Sequence, residues 1–450
     1  MEKALLRVQA LARGARLTAM PPNSLSAEGK PGTVPAAPQM LRIYWLTEAF
    51  YPPIVGGQEL FASRIVHALS LKGVNASVIT RQTEPPSASA ELLGLVKVRR
   101  FPPAGNLKGK GWRAVFPILG YLTRLMLLLL KEAGRYDIVI VSGAKVMPMI
   151  VVPVCLITRK KCILRVESFF ELKEAVSAES LRGMSSFAAR ALVGGIDGLR
   201  LYLLRKAAAV IAISQEIRSA LLNRGVSAAR IHDIPNAVDL KKFRPASAEE
   251  KLRLCAKLQL PRDRTLVIYA GRLSRAKGLP MLIEAWPTLI ERHPELCLLV
   301  VGSGRISFDN CEDYVKEFAR THALENHVQF FAETSDVHEY LQAADLFIFP
   351  TEYEGFSLAL VEALGCGLTV AVTAVGAAPD LIQEGQNGFL FPPKDSAAML
   401  SALEAALAAR QRWPEIGVAA RASVSRFDLA VVADQYLGLC HELTRRPPGP

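Results

Sequence analysis

Beyond residue 40 the apolar positions fall into two alternating patterns. Short runs rich in Val, Ile, Leu and aromatics read as buried strands at 74–80, 96–101, 137–142, 162–166 and 210–214, after an opening run LRIYWLTEAFYP from Leu41. Between them lie segments such as QELFASRIVHALSLKG, whose apolar residues recur at helical spacing behind the Gly56-Gly57 turn. The pattern pauses at PNAVDLKKFRP, where Pro235, Asn236 and Pro245 bracket a non-periodic linker, and then restarts. Strands are expected at 265–270, 296–301, 327–331, 346–350 and 369–373, with helices at 280–292 and 358–364 among them. Such alternation predicts an α/β protein of two doubly wound, mostly parallel sheets, with ligands bound in the crevice outside the carboxyl ends of the strands.

The expected organisation is a disordered leader over 1–40, a first domain over 41–238, a second over 239–426 and a tail over 444–450. A helix over 427–443 returns to complete the first domain. A length of 450 residues agrees with two such units. The net charge of +12 is uneven: residues 1–240 carry 32 Lys and Arg against 16 Asp and Glu, while 241–450 carry 22 against 26. A basic first half suits nucleic acid, an anionic membrane face or a phosphorylated substrate, and no nucleic-acid module accompanies it. The apolar runs 115–130 and 138–158 are interrupted by Arg124, Lys145, Pro148 and Pro153, so neither reads as a membrane span. Seven cysteines without a Cys-x-x-Cys pair read as buried, reduced thiols of a cytoplasmic protein.

Candidate chemistry concentrates in the second half. AGRLSRAKG at 270–278 ends a strand and holds Arg272 and Lys277 five positions apart, a fork and a point charge able to grip one diphosphate. PTEYEGFSLALVE at 350–362 sets Glu354 before a helix start and Glu362 inside the helix. The free amides of that start favour phosphate oxygens, and the two carboxylates suit sugar and ribose hydroxyls. There is no Asp-x-Asp and no metal-ligand spacing of His or Cys, so no metal and no cofactor are expected.

Gly56-Gly57, PNAVD, GRLSRAKG, VVGSG at 300–304 and EGFSLALVE stand in the order that resembles the family 4 glycosyltransferases, retaining enzymes with two facing Rossmann-like domains, the GT-B fold. The resemblance runs from about Leu41 to Leu443. It implies that Arg272 and Lys277 bind the diphosphate of a UDP- or GDP-linked sugar, and that Gly355, Phe356, Ser357 and Leu358 hold phosphate and sugar through their amides. Glu362 would hold the ribose, Glu354 would touch the transferred sugar, and Gly57 and Gly302 would line the donor site. Many relatives carry a histidine where this chain reads ILRVESFFE. Glu167 stands there instead, either positioning acceptor or donor hydroxyls or simply pairing with Arg165. His67 and His232 are expected to be structural or surface imidazoles.

The reading that results is a metal-independent hexosyltransferase acting on a glycan or lipid-linked hydroxyl acceptor. Lys97, Arg99, Arg100, Lys108, Lys110, Arg113 and Trp112, ahead of an apolar helix, suggest peripheral contact with an anionic membrane at its inner face. A sugar nucleotide epimerase on the same architecture, or a degenerate partner that binds nucleotide without catalysis, are the other readings.

Overall fold

The structure, a computed structural model, describes residues 40–50, 57–82, 90–102, 112–172, 186–305, 307 and 309–445. The expected leader, Gly56, Lys108 and Lys110 lie outside the described residues. In chain order the first lobe comprises β1 (Arg42–Thr47), α1 (Gly57–Leu71), β2 (Asn75–Arg81), β3 (Ala90–Leu93), β4 (Val96–Phe101), α2 (Trp112–Lys131), β5 (Ile138–Ser142), α3 (Pro148–Ile157), β6 (Lys161–Val166), α4 (Ser186–Lys206), β7 (Ala209–Ala212), α5 (Gln215–Asn223) and β8 (Ile231–Asp233). The second comprises α6 (Ala248–Lys257), β9 (Thr265–Ala270), α7 (Leu279–Arg292), β10 (Leu296–Val301), α8 (Glu312–Thr321), β11 (Val328–Phe331), α9 (Val337–Ala343), β12 (Leu346–Phe349), α10 (Leu358–Gly365), β13 (Thr369–Thr373), α11 (Ala378–Leu381), β14 (Phe389–Phe391), α12 (Ser396–Ala408) and α13 (Trp413–Ser423). The final helix, α14 (Leu429–Thr444), returns to the first lobe and packs on α1.

The first sheet runs β3-β4-β2-β1-β5-β6-β7-β8, parallel except for the edge strand β3. The second runs β11-β10-β9-β12-β13-β14 and is wholly parallel. Helices cover both faces of such sheets, which is why β5, β9 and β10 are apolar without alternation and buried at every position. The order of the second sheet reverses between β9 and β12. The loops that leave their carboxyl ends carry Arg272 with Lys277 and Glu354 with Ser357, so the topology brings the two motifs to one crevice.

The expected strands are all present, with small shifts at their ends. β3, β8 and β14 were not read as separate strands: each has only three or four residues, too few for a period to show. The stretch read as a linker is packed rather than loose. Ala237, Val238 and Phe243 are buried, and Arg421 donates to the carbonyls of Leu240 (2.7 Å), Phe243 (2.5 Å) and Gly365 (2.7 Å). Tyr436 of α14 is buried against Trp45 and Phe61, with ring centroids 5.6 and 6.3 Å away. All seven cysteines are free and buried. Among the described residues no helix is long and apolar enough to cross a membrane.

Candidate active site

A cavity of about 670 Å³ lies between the carboxyl ends of the two sheets. It brings together every residue singled out from the sequence: Gly57, Glu167, Arg272, Lys277, Gly302, Glu354, Gly355, Phe356, Ser357, Leu358 and Glu362. Neither His67 nor His232 lines it. His67 is exposed on α1.

On the second lobe, β9 runs into a tight loop that ends in a 3-10 turn over Arg275–Lys277. Gly278 closes it with φ +70°, and a Cβ there would sit 1.9 Å from the Pro350 carbonyl oxygen. Only glycine lets the loop lie against β12 in this way. The turn delivers the Lys277 ammonium, almost wholly buried, to 2.5 Å from Glu354 Oε1. Glu354, expected as a free acceptor of sugar hydroxyls, is thus half of an ion pair across the two loops. Arg272 is exposed, lines the cavity, and its guanidinium has no ion-pair partner among the described residues. Gly302, with φ +151°, is pressed against the Gly271 carbonyl at a distance a Cβ would reduce to 1.9 Å. It therefore shapes the floor of the cavity by close backbone packing.

α10 starts at the same crevice. Ser357 caps it, its hydroxyl accepting from the Leu360 amide at 3.2 Å. Leu358 and Ala359 line the cavity, and as the first residues of the helix their amides precede any intrahelical partner. The start of α1 faces it: a Cβ on Gly57 would lie 3.1 Å from Leu358 Cδ1. Two helix amino termini thus flank one space, and both favour negative charge there. The side chain of Phe356 packs edge-on against Phe427, with ring centroids 5.4 Å apart.

The first-lobe wall is a buried charge cluster. Arg165, 1% exposed, donates from Nη1 to Glu167 Oε1 and from Nη2 to Asn236 Oδ1, and stacks over Phe61 at 4.0 Å. Among the described residues Glu167 Oε2 has no hydrogen-bond partner. Glu171 takes the amides of Ala144 (3.0 Å) and Glu167 (3.2 Å), and Glu59 lies buried nearby in the same wall. Burial pushes the Glu167 carboxyl up to about 8; Arg165 pulls it down, while Glu171 and Glu59 push it further up. Glu171 is raised by the same burial, offset by the amides it accepts from. Arg165, with Arg200 and Lys145 near Glu171, offsets only part of this, so burial favours the protonated form of Glu167. The pairing with Arg165 weighed from the sequence is present, and it coexists with a place in the cavity wall.

Glu362, expected at the ribose, accepts at Oε1 from Arg64 Nη1 of the first lobe at 3.0 Å. Burial raises its carboxyl, and Arg64 pulls it back. Gly355 lies against the Glu167 carbonyl, a Cβ there falling 2.2 Å from the oxygen. The lobes therefore touch across the cavity rim. Sequence reasoning missed Arg64, Arg165, Asn236 and Glu171 as cavity or rim residues. Arg165 had a signal, a charge at the centre of the apolar run ILRV; Arg64, on a helix with many polar positions, had none. The basic patch of the first half also needs correction. Arg100 is 3% exposed and donates to the Phe50 carbonyl at 3.1 Å, because it alternates to the opposite face of β4 from Lys97 and Arg99.

Two family models match the chain: Glycosyltransferase Family 4 over residues 55–242 and Glycosyl transferases group 1 over residues 251–422. A D-inositol 3-phosphate glycosyltransferase of Xylanimonas cellulosilytica is 29% identical over 54% of this chain and 58% of its own length. The chain spans about six-tenths of the first curated relatives it matches. Among solved structures, sucrose-phosphate synthase of Thermosynechococcus elongatus superposes with a TM-score of 0.71 at 24% identity, covering 90% of this chain and 99% of its own. HepE of Anabaena, solved in complex with UDP-glucose, gives 0.68 at 22%, covering 89% and 100%. These likenesses establish the two-lobed fold of the solved glycosyltransferases.

Proposed function

Because the chain belongs to the family 4 glycosyltransferases of GT-B fold, we propose that it transfers a hexose-type sugar from a UDP- or GDP-linked donor to a hydroxyl acceptor, with retained anomeric configuration and without a metal ion. The observation that carries this reading is the convergence of Arg272, Lys277 and the α10 amino terminus on one cavity, where β9 and β12 part. Breaking the bond between the anomeric carbon and phosphate leaves a nucleoside diphosphate whose growing charge must be met. Arg272, Lys277 and the amides at the start of α10 are the groups that would meet it. HepE, of like fold, binds UDP-glucose, which supports a nucleotide sugar as donor.

In this reading the acceptor oxygen bonds to the anomeric carbon on the face the phosphate leaves, and its proton passes to the departing phosphate oxygen. Glu354, oriented by Lys277, accepts from hydroxyls of the transferred sugar. Glu167, held neutral, donates a hydrogen bond from its carboxyl to a substrate oxygen. Glu362 offers its remaining carboxylate oxygen to the ribose. Incubating the protein with candidate donors and acceptors and reading the anomeric coupling of the product by proton NMR tests the reaction. A retained coupling is expected, and an inverted one rejects the assignment.

A lipid-linked acceptor at an anionic surface is supported by the outward faces of α2 and α3, where Leu119, Leu127, Leu156 and Ile157 are exposed beside Arg124 and Arg159. Sedimentation with anionic vesicles but not with neutral ones is expected; equal recovery in both supernatants removes the lipid acceptor and leaves a soluble glycan.

A further inference from the structure

At the amino-terminal ends of the first sheet, the end away from the cleft, one face of three adjacent strands is polar where a doubly wound sheet is ordinarily apolar. The register pairs Arg42 of β1 with Asn75 of β2, Tyr44 with Ser77, and Ser77 with Lys97 of β4, so these side chains share one face, with Arg99 next along it. Together with Arg135, from the turn after α2, they line a cavity of about 370 Å³.

The charges do not cancel. Asp137 is taken by Arg42, at 2.6 Å to Nη2 and 3.0 Å to Nε. Glu132 is shared by Arg99 (2.7 Å), Arg135 (3.2 Å) and the Tyr44 hydroxyl (2.5 Å). These contacts hold both carboxyls below their ordinary range: the Arg42 hydrogen bond leads for Asp137, and the Tyr44 and Arg99 bonds overcome burial for Glu132. Among the described residues four cations thus face two carboxylates, an excess of two positive charges. Among the described residues Lys97 has no partner for its ammonium, and the side chains of Asn75 and Ser77 have none either. Arg159 and Lys161 continue the basic edge at the start of β6, both exposed.

We propose that this cavity is a binding site for a phosphomonoester group, separate from the donor cleft. Two uncompensated positive charges match a phosphate dianion, Lys97 and Arg135 are exposed enough to close on it, and Asn75 and Ser77 supply neutral donors. The volume leaves room for the organic group that the phosphate carries. Its lining residues nearest the cleft, Tyr44 and Arg99, lie before the ends of β1 at Thr47 and β4 at Phe101, so at roughly 3.3 Å per residue about 7–10 Å of strand separates the cavity from the cleft end of the sheet, and no residue lines both cavities. The proposal does not depend on the transfer reaction.

The test is calorimetric titration of the full chain with inorganic phosphate against a chloride control of matched ionic strength. Wild type, Arg272→Ala and Lys97→Glu/Arg135→Glu are compared, and the double variant is first shown to melt like wild type in chloride, since both its sites are exposed. Binding that survives Arg272→Ala and weakens about tenfold or more in the double variant is expected. Absence of binding beyond the chloride control, binding unchanged in the double variant, or binding lost in Arg272→Ala overturns the site. A second arm assigns the source: sedimentation with phosphatidylcholine vesicles containing phosphatidic acid. Co-sedimentation lost in Lys97→Glu/Arg135→Glu makes the phosphate a lipid headgroup, and equal sedimentation of the two proteins makes it a soluble phosphomonoester.

Discussion

At the scale of single residues, burial separates the candidate cations and acids by what a substitution would disturb. Lys277 is locked to Glu354, so removing it strands a half-buried carboxylate and confuses loss of function with loss of structure. Arg272 is exposed without an ion-pair partner. Arg272→Ala should therefore lower kcat/KM by roughly 10- to 150-fold, the worth of a charge-assisted contact to phosphate, with an unchanged melting temperature. Parallel transfer assays and thermal melts check this; a fall in both would make Arg272 structural. Glu167 gives a pH signature. Its folded-state value near 8 lies above the ordinary carboxyl range, so its proton is kept on folding, and the stability it contributes is full below about 4.5 and lost as pH rises to about 8. The groups that set it are Arg165, Glu171, Glu59 and Ser142. If the neutral acid is the working form, kcat/KM falls as pH rises through about 8, and Glu167→Gln, which cannot ionise but still donates, loses that limb. A limb that persists in the variant assigns it to another group.

At the scale of elements, the loops matter more than the strands they leave. The strands were legible because a buried parallel strand must be apolar on both faces, which is what 265–270, 296–301 and 369–373 display. The cluster of cations and glutamates around the β9 and β12 loops was legible because it is local in sequence. What could not be read are particular side-chain contacts between distant segments: Arg64 with Glu362, Arg165 with Asn236, or the face shared by Arg42 and Lys97, each set by tertiary packing across many residues. Nor did the spacing show that Gly278 is fixed by the Pro350 carbonyl. That contact carries a prediction. Gly278→Ala combines a left-handed backbone with a backbone clash and should destabilise by about 2–5 kcal/mol while displacing Lys277. Gly73→Ala, with φ +85° and open space around it, should incur only the backbone part, about 1–2 kcal/mol, with activity kept. Urea unfolding of both variants checks the contrast; equal effects would show that the Pro350 contact relaxes at little expense.

At the scale of the whole molecule, the question is what holds two lobes closed over a cavity that substrates must enter. α14 ties them permanently, returning from the second lobe to pack on α1, and Val238 bridges to Asp428 beside the crossing. The rim contacts are of another kind: Arg64 on Glu362, and the Gln215 amide on Asp380 at 3.3 Å. The first of these is buried, with side-chain exposures of 19% and 8%. A buried pair that loses one partner leaves an uncompensated charge, which commonly destabilises by about 3–5 kcal/mol. Here the chain has a cheaper escape, because hinging the lobes apart hydrates Glu362 without unfolding either sheet. Arg64→Glu should therefore open the molecule, seen as a larger radius of gyration in small-angle scattering, more than it lowers the melting temperature. Arg64→Glu/Glu362→Arg should restore the compact form, since the pair is re-formed with its charges exchanged. A single variant as compact as wild type would show that α14 alone sets the closure, and an expanded double variant would show that the site needs this polarity. The same carboxylate is the one proposed to receive the donor ribose, so closure and donor binding draw on one group, and the double variant should remain compact while losing donor affinity.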